Sequence, residues 1–196
     1  MRRLVTCLGV VLSIWVLYAL QKSMPTYGDI TSPIAISGKT GEKVSGRNFE
    51  LTVKRIRFAR EIALSAFGNE RYYGTSGVWA IVEANAAAPN ESVTLAAAAW
   101  LGADGARYLA SERISTAPAL LAQQRLEPGL PQHALMIFEF PESEMRNATL
   151  LVAQSPFQPL DNELHISTDS AASGLIHDRV TLKRGRSDDD WSIEAP

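Results

Sequence analysis

Three histidines, His133, His165 and His177, are the only imidazoles in this 196-residue chain, and Cys7 is its only thiol. A zinc-type site asks for ligands at close spacing or for a second sulfur. No two of these histidines stand at i, i+2 or i, i+4. Folding would have to gather His133 and His165 with Asp161 or Asp178 to make a metal or acid–base centre. The plainer expectation is solvated or strand-end histidine, with no metal and no cofactor. Serine chemistry has no better start, because neither a Gly-x-Ser-x-Gly elbow nor a Ser-x-x-Lys element occurs. Ser37-Gly38-Lys39-Thr40 has the look of the end of a phosphate-binding loop. The first glycine of that motif would fall at Pro33, and no helix follows to aim backbone amides at a phosphate. It reads as a turn.

Two other groups of residues have the chemistry of contact rather than catalysis. Lys54, Arg55, Arg57 and Arg60 form a basic cluster on a strand, with Arg55 and Arg57 on the outward face while Ile56 and Phe58 point in. Such a face could dock an acidic partner or a phosphate-bearing headgroup. It could equally be an ordinary polar sheet face balanced by Glu50 and Glu61. Tyr72 and Tyr73, between Arg71 and Gly74, read as the most binding-like loop, since amphipathic rings on loops make contacts. A satisfied loop aromatic is the competing explanation.

The elements that must position these residues begin with the first twenty-two. Arg2 and Arg3 precede an uncharged apolar run from Leu4 to Leu20, closed by Gln21 and Lys22. As a helix, that run covers about 25 Å, slightly short of a bilayer core. Trp15 and Tyr18 stand near one end, where their rings favour the headgroup region. The reading is an uncleaved signal anchor with Arg2 and Arg3 cytoplasmic and the rest of the chain outside. A cleaved signal peptide is the rival, although Ala19-Leu20-Gln21 lacks the small residue its cleavage site needs. Cys7 lies inside the run, so the exported part has no disulfide.

Without residues 1–22 the chain keeps 16 of its 19 basic residues and all 21 acidic ones, a net charge of −5. That balance argues against general affinity for nucleic acid or anionic lipid. What remains alternates in the manner of strands. Phe49, Leu51 and Val53 share one face, then the phase slips to Ile56 and Phe58, which asks for a bulge near Lys54-Arg55. Val78 to Ala84 is apolar nearly throughout, as in a strand covered on both sides. Ser92 to Leu101 and Arg107 to Ala110 flank the turn residues Gly102-Ala103-Asp104-Gly105 and predict a hairpin. His133 to Phe140, Ala148 to Ala153 and Glu163 to Thr168 bring the total to about seven strands, the number of a sandwich. Ser115 and Thr116 cap either a short helix over Ala117 to Arg125 or a loop. Arg179 to Lys183 is strand-like, and the polar stretch beyond it is expected to be disordered.

The order of these pieces resembles a family of bacterial exported domains of unknown function, immunoprotective-antigen-like sandwiches with an immunoglobulin-like fold. The likeness lies in Asn48 to Arg57, Val78 to Asn85, a Ser-Val-Thr-Leu strand, the hairpin at Ala103 to Gly105 with Tyr108, and Leu126-Glu127-Pro128-Gly129 leading into Leu135 to Pro141. It spans residues 45 to 155. The resemblance implies an all-β, immunoglobulin-like antiparallel β-sandwich and an exported location, and it carries no catalytic residues. In such a bacterial chain the acceptor patterns Asn90-Glu91-Ser92 and Asn147-Ala148-Thr149 have no meaning for glycosylation.

The resulting expectation divides the chain into one transmembrane helix (1–22), a linker (23–33), the sandwich (34–170) and a partly disordered tail (171–196). The protein would sit in the inner membrane by a single pass through residues 4–20, its C-terminal domain in the periplasm. There it would act without catalysis as a binding or scaffold domain for a cell-envelope protein, with Tyr72, Tyr73, Arg55 and Arg57 as contacts. The alternatives are an envelope enzyme with a dispersed His133, His165 and Asp161 site, or a sandwich that captures a small ligand.

Overall fold

Apolar side chains that alternate with polar ones need a second surface to cover them, and here two sheets supply it to each other. The computed structural model describes residues 2–24, 31–66, 69–157, 160–168, 175–184 and 191–194. Helix α1 (Arg2–Ser23) precedes β1 (Ile34–Lys39), β2 (Lys43–Ser45), β3 (Glu50–Ala66), β4 (Asn69–Ala87), β5 (Val93–Thr94), β6 (Ala97–Leu101) and β7 (Arg107–Leu109). Then follow β8 (Arg125–Leu126), β9 (Gln132–Phe140), β10 (Thr149–Ala153), β11 (Asn162–Ser167), β12 (Ile176–Arg184) and β13 (Trp191–Glu194). A five-stranded sheet has the order β1-β11-β10-β6-β7. A six-stranded sheet has the path β13-β12-β3-β4-β9, with β2 also on β3, and β5 pairs with β8 alone.

Between the sheets, Phe49, Leu51, Val53, Phe58, Val78, Ala80 and Val82 from one side meet Trp100, Leu150, Val152, Leu164 and Ile166 from the other. The sandwich is therefore real, but it is not purely antiparallel: β1 runs parallel to β11, and β12 parallel to β3. A parallel neighbour comes from far along the chain and leaves no hairpin signature in the sequence. The strands among the described residues also exceed the seven expected.

The bulge expected near Lys54-Arg55 is present, as a register shift between Val53 and Arg55. Ile56 and Phe58 are buried beyond it. In β4, Val78, Ala80 and Val82 face the inter-sheet core, while Trp79 and Ile81 enter a second apolar cluster on the outer face of the same sheet. That cluster is closed by Ile114 and Ala117 from an irregular segment and by Val180 and Leu182 of β12. The segment folds as two short 3₁₀ turns, Glu112–Ile114 and Leu121–Gln123, so of the two options over 117–125 the loop is the one adopted. It also runs along the edge of β9, where Ser111 donates to the Ile137 carbonyl (2.7 Å) and Leu135 donates to that of Ala119 (2.8 Å).

The β6–β7 hairpin turns through Gly105 at φ 85°, a region glycine enters without strain. In the C-terminal region, β12 and β13 belong to the six-stranded sheet. β12 pairs with β3 over most of its length and β13 continues the sheet from β12. The residues 185–190, which include the acidic run expected to be disordered, lie outside the described residues, as do 25–30 of the linker.

Helix α1 forms over the whole apolar run and beyond it, 22 residues or about 33 Å. Several of its apolar side chains are exposed: Val11, Leu12, Trp15 and Leu17 are each more than 60% accessible. Among the described residues, no helix is long and apolar enough to cross a membrane. An N-terminal helix is thus observed, and a spanning one is not.

Candidate functional site

β3 and β4 make an unusually long hairpin of 17 and 19 residues. Near its tip, Tyr72 and Tyr73 are not on a loop, because they pair with Ala63 and Ile62 in register. Consecutive strand residues face opposite ways, and that splits the two rings. Tyr73 packs against the outer cluster, and its carbonyl accepts from the Trp79 indole at 2.9 Å. Tyr72 faces the other way and stays half exposed.

β12 brings Arg179 beside Tyr72 through its parallel pairing with β3. The guanidinium lies 4.9 Å from the ring centroid, in the attractive cation–π range, while its Nε donates to Glu61 at 2.5 Å. The Tyr72 hydroxyl donates to Glu70 at 2.5 Å. That bond and the charge of Glu70 hold the Tyr72 pKa above its ordinary value near 10, with desolvation and Glu61 adding to them and Arg179 opposing. Glu61, bonded and adjacent, holds the Arg179 guanidinium more firmly protonated than usual. A shallow cleft beside this face is lined by Arg60, Glu61, Gly74, Thr75, Asp178 and Arg179. The arrangement combines a half-exposed aromatic face with hydrogen-bonding edges and charges already paired.

The expected basic face fares differently. Arg57 is mostly buried and forms an ion pair with Glu83 on the neighbouring strand, which makes it part of the sheet. Arg55 is exposed one step beyond the bulge. Arg60, also from that cluster, pairs with Glu142 and donates to the Gly77 carbonyl at 2.8 Å. Arg55 and Tyr72 lie far apart along the hairpin and do not form one surface. Arg179 and Glu70 have no place in the sequence reading beyond the strand-like stretch at Arg179, and Glu61 enters it only as a charge balancing the basic face.

The histidines do not converge. His133 stands on β9 of the six-stranded sheet, where its carbonyl accepts from the Gln124 side chain at 2.9 Å. His165 is on β11 of the five-stranded sheet, its Nε2 at 2.7 Å from Glu163. Glu163 is also 3.6 Å from Arg107, which gives a small ion-paired cluster on the outer face of that sheet. Asp161 uses its carboxylate to accept from the Asn162 amide at 2.7 Å. The dispersed His133, His165 and Asp161 site is therefore not assembled. Among the described residues, no group of three or more His, Cys, Asp or Glu could hold a metal ion. Ser37 to Lys39 lie in β1, and Thr40 donates to the Ser167 carbonyl at 3.0 Å, so this stretch ends a strand and cradles nothing.

A half-open cavity of about 190 Å³ lies at one edge of the sandwich. Ala96 and Ala98 line one side, Leu135, Met136 and Ile137 the other, with Ser111, Glu112 and Gln123 at its margin.

No protein-family model and no curated protein matches the chain. Among solved structures it is similar to MPT63, a secreted protein from Mycobacterium tuberculosis, at 16% identity and a TM-score of 0.49, over 69% of this chain and 99% of that one. It is also similar to an uncharacterised β-sandwich protein from Clostridium difficile 630, at 14% identity and a TM-score of 0.45, over 72% and 99% of the two chains. A putative lipoprotein from Staphylococcus aureus shows 12% identity and a TM-score of 0.45, over 72% and 96%. None of these likenesses reaches to a residue's role.

Proposed function

We propose that this protein is a membrane-anchored, extracytoplasmic β-sandwich of immunoglobulin-like descent that works without catalysis, as a tethered module recognising another cell-envelope protein. The observation that carries the reading is the separation of tether from contact face. The chain arrives from α1 at Ile34, beside Asn162 and near the start of β3. Tyr72 lies opposite Ala63, thirteen residues along β3 from Glu50 and so about 40 Å away. A domain held at one end presents the Tyr72 and Arg179 face at the other, within reach of a second envelope component.

The uncharged run Leu4–Leu20 and the exposed apolar side chains of α1 support the anchor. The described part of the helix falls short of a span. Anchoring therefore has to be tested first, by alkaline extraction of membranes carrying the full chain. Retention in the pellet supports a spanning anchor, and release sinks it in favour of an interfacial helix or a cleaved signal. A photocrosslinking residue placed at Tyr72, with one at Leu109 as control, then tests recognition. A discrete adduct from position 72 alone supports the Tyr72 face, whereas equal or absent adducts at both positions defeat it.

The edge cavity favours a second reading. Its volume suits one small apolar group, because a dry apolar cavity of about 150 Å³ is enough for benzene. Isothermal titration with small aromatic probes tests that reading, and a blank titration removes it.

A further inference from the structure

We infer that the tether-side end of the sandwich is itself a membrane-contact surface, seated on the bilayer that holds α1; this rests on the anchor reading above. β1 and β11 are parallel and in register from Ile34 and Asn162, so the loop before β11 lies at the end where the chain arrives from the helix. The Ile34 amide donates to the Asp161 carbonyl at 2.8 Å, and the Arg47 amide to the Asn162 side chain at 2.7 Å. These bonds tie the starts of β1, β3 and β11 into one end. β9 begins there too, since Gln132 pairs with Ala86 close to where Glu50 pairs with Ala87.

This end is where exposed apolar side chains gather. Outside α1 and Met24, seven large hydrophobic residues are exposed among the described ones, and four of them are here: Ile34, Leu130, Phe157 and Leu160. Phe157 is 89% accessible and Leu130 62%. They occupy three separate chain segments, so no single loop accounts for them. Protruding phenylalanine and leucine side chains gain by entering the interfacial zone of a bilayer.

Ten residues, Met24 to Pro33, join the helix to β1. Even fully extended they reach only about 35 Å. So short a tether keeps the local concentration of the surface around this end in the millimolar range, and individually weak contacts then suffice. The same contacts would hold the hairpin tip with Tyr72 away from the bilayer, toward a partner.

Depth measurements on the full chain test this. In a Cys7→Ser background, single cysteines at Phe157, Leu130 and Tyr72 receive an environment-sensitive fluorophore. The protein is then reconstituted into vesicles of phosphatidylethanolamine and phosphatidylglycerol. The expected result is blue-shifted emission and quenching by nitroxide lipids at Phe157→Cys and Leu130→Cys, with iodide quenching several-fold lower than at Tyr72→Cys. Flotation of the protein with vesicles while all three labels meet iodide equally would overturn the contact surface and leave the anchor standing. Failure to float would overturn both. The sites are exposed, and an unchanged unfolding midpoint in each variant confirms that the fold is intact.

Discussion

Trp100 and Trp79 are both fully buried, yet they are buried by different kinds of structure. Trp100 belongs to the inter-sheet core. Phe140 stacks on it at 4.8 Å, Phe58 meets it edge-on at 6.0 Å, Phe138 lies at 6.1 Å, and its indole donates to the Glu144 carbonyl at 2.9 Å. Its aromatic neighbours all come from strands. Trp79 sits on the outer face of the six-stranded sheet, in a cluster completed by Ile114 from an irregular segment. Arg113 of that segment lies over its ring at 5.1 Å, and its indole reaches the Tyr73 carbonyl, next to the proposed contact residue. The inner core makes the sandwich, while the outer one attaches the long hairpin to it and thereby aims Tyr72.

The largest effect should follow from emptying the inner core. Trp100→Ala removes a side chain that strands on both sheets enclose, and the destabilisation expected is about 3–5 kcal/mol. Denaturant unfolding reads it directly. A loss below roughly 2 kcal/mol would mean that the sheets are not held by this stack. Ile114→Ala should cost less, about 2–3 kcal/mol, because its irregular segment can relax into the space. Its sharper signature is local: chemical shifts of Tyr72 and Tyr73 should move while those around Trp100 stay. A uniform change across both clusters would erase the distinction between the cores.

The two cores also differ in how far the sequence revealed them. The phase slip at Lys54-Arg55 announced the bulge, because a period-2 pattern cannot keep both Val53 and Ile56 inside without an extra residue. The run Val78 to Ala84 announced a strand covered on both faces, and both faces are covered. What covers the outer face was not legible. Ile114 lies in a segment without periodicity, and β12 joins β3 from more than a hundred residues away, with Arg179 and Glu61 separated by 118 positions. The candidate site suffered from the same cause. Tyr72, singled out by residue type, is half exposed, but a neighbouring Gly74 made a paired strand resemble a loop. Simple alternation turns Tyr73 toward the outer cluster, and Arg57 is engaged by an ion pair to Glu83 that only the β3–β4 register reveals.

The smallest effect is the most specific to the proposed contact face. Tyr72 has a raised pKa chiefly because its hydroxyl donates to Glu70 and faces that charge, with Arg179 working against the shift. A group whose folded pKa lies above its unfolded value adds stability fully present below the unfolded value. For Tyr72 that contribution holds up to the ordinary tyrosine range near 10 and fades as pH rises through the folded pKa. Because the residue is exposed, the change in unfolding midpoint should be slight, and the informative quantity is the titration itself. Subtracting the ultraviolet titration of Tyr72→Phe from that of the native protein isolates one tyrosine of five. Glu70→Gln should move that curve to lower pH, because it weakens the hydrogen bond from the Tyr72 hydroxyl and removes the charge behind it. Arg179→Gln should move it higher, because the charge of Arg179, which opposes the shift, is gone. Opposite movements in two variants on different strands can arise only if β12 seats Arg179 against Tyr72. A curve that ignores Arg179→Gln would separate the C-terminal strand from the contact face and leave the hairpin tip supported by Trp79 and its cluster alone.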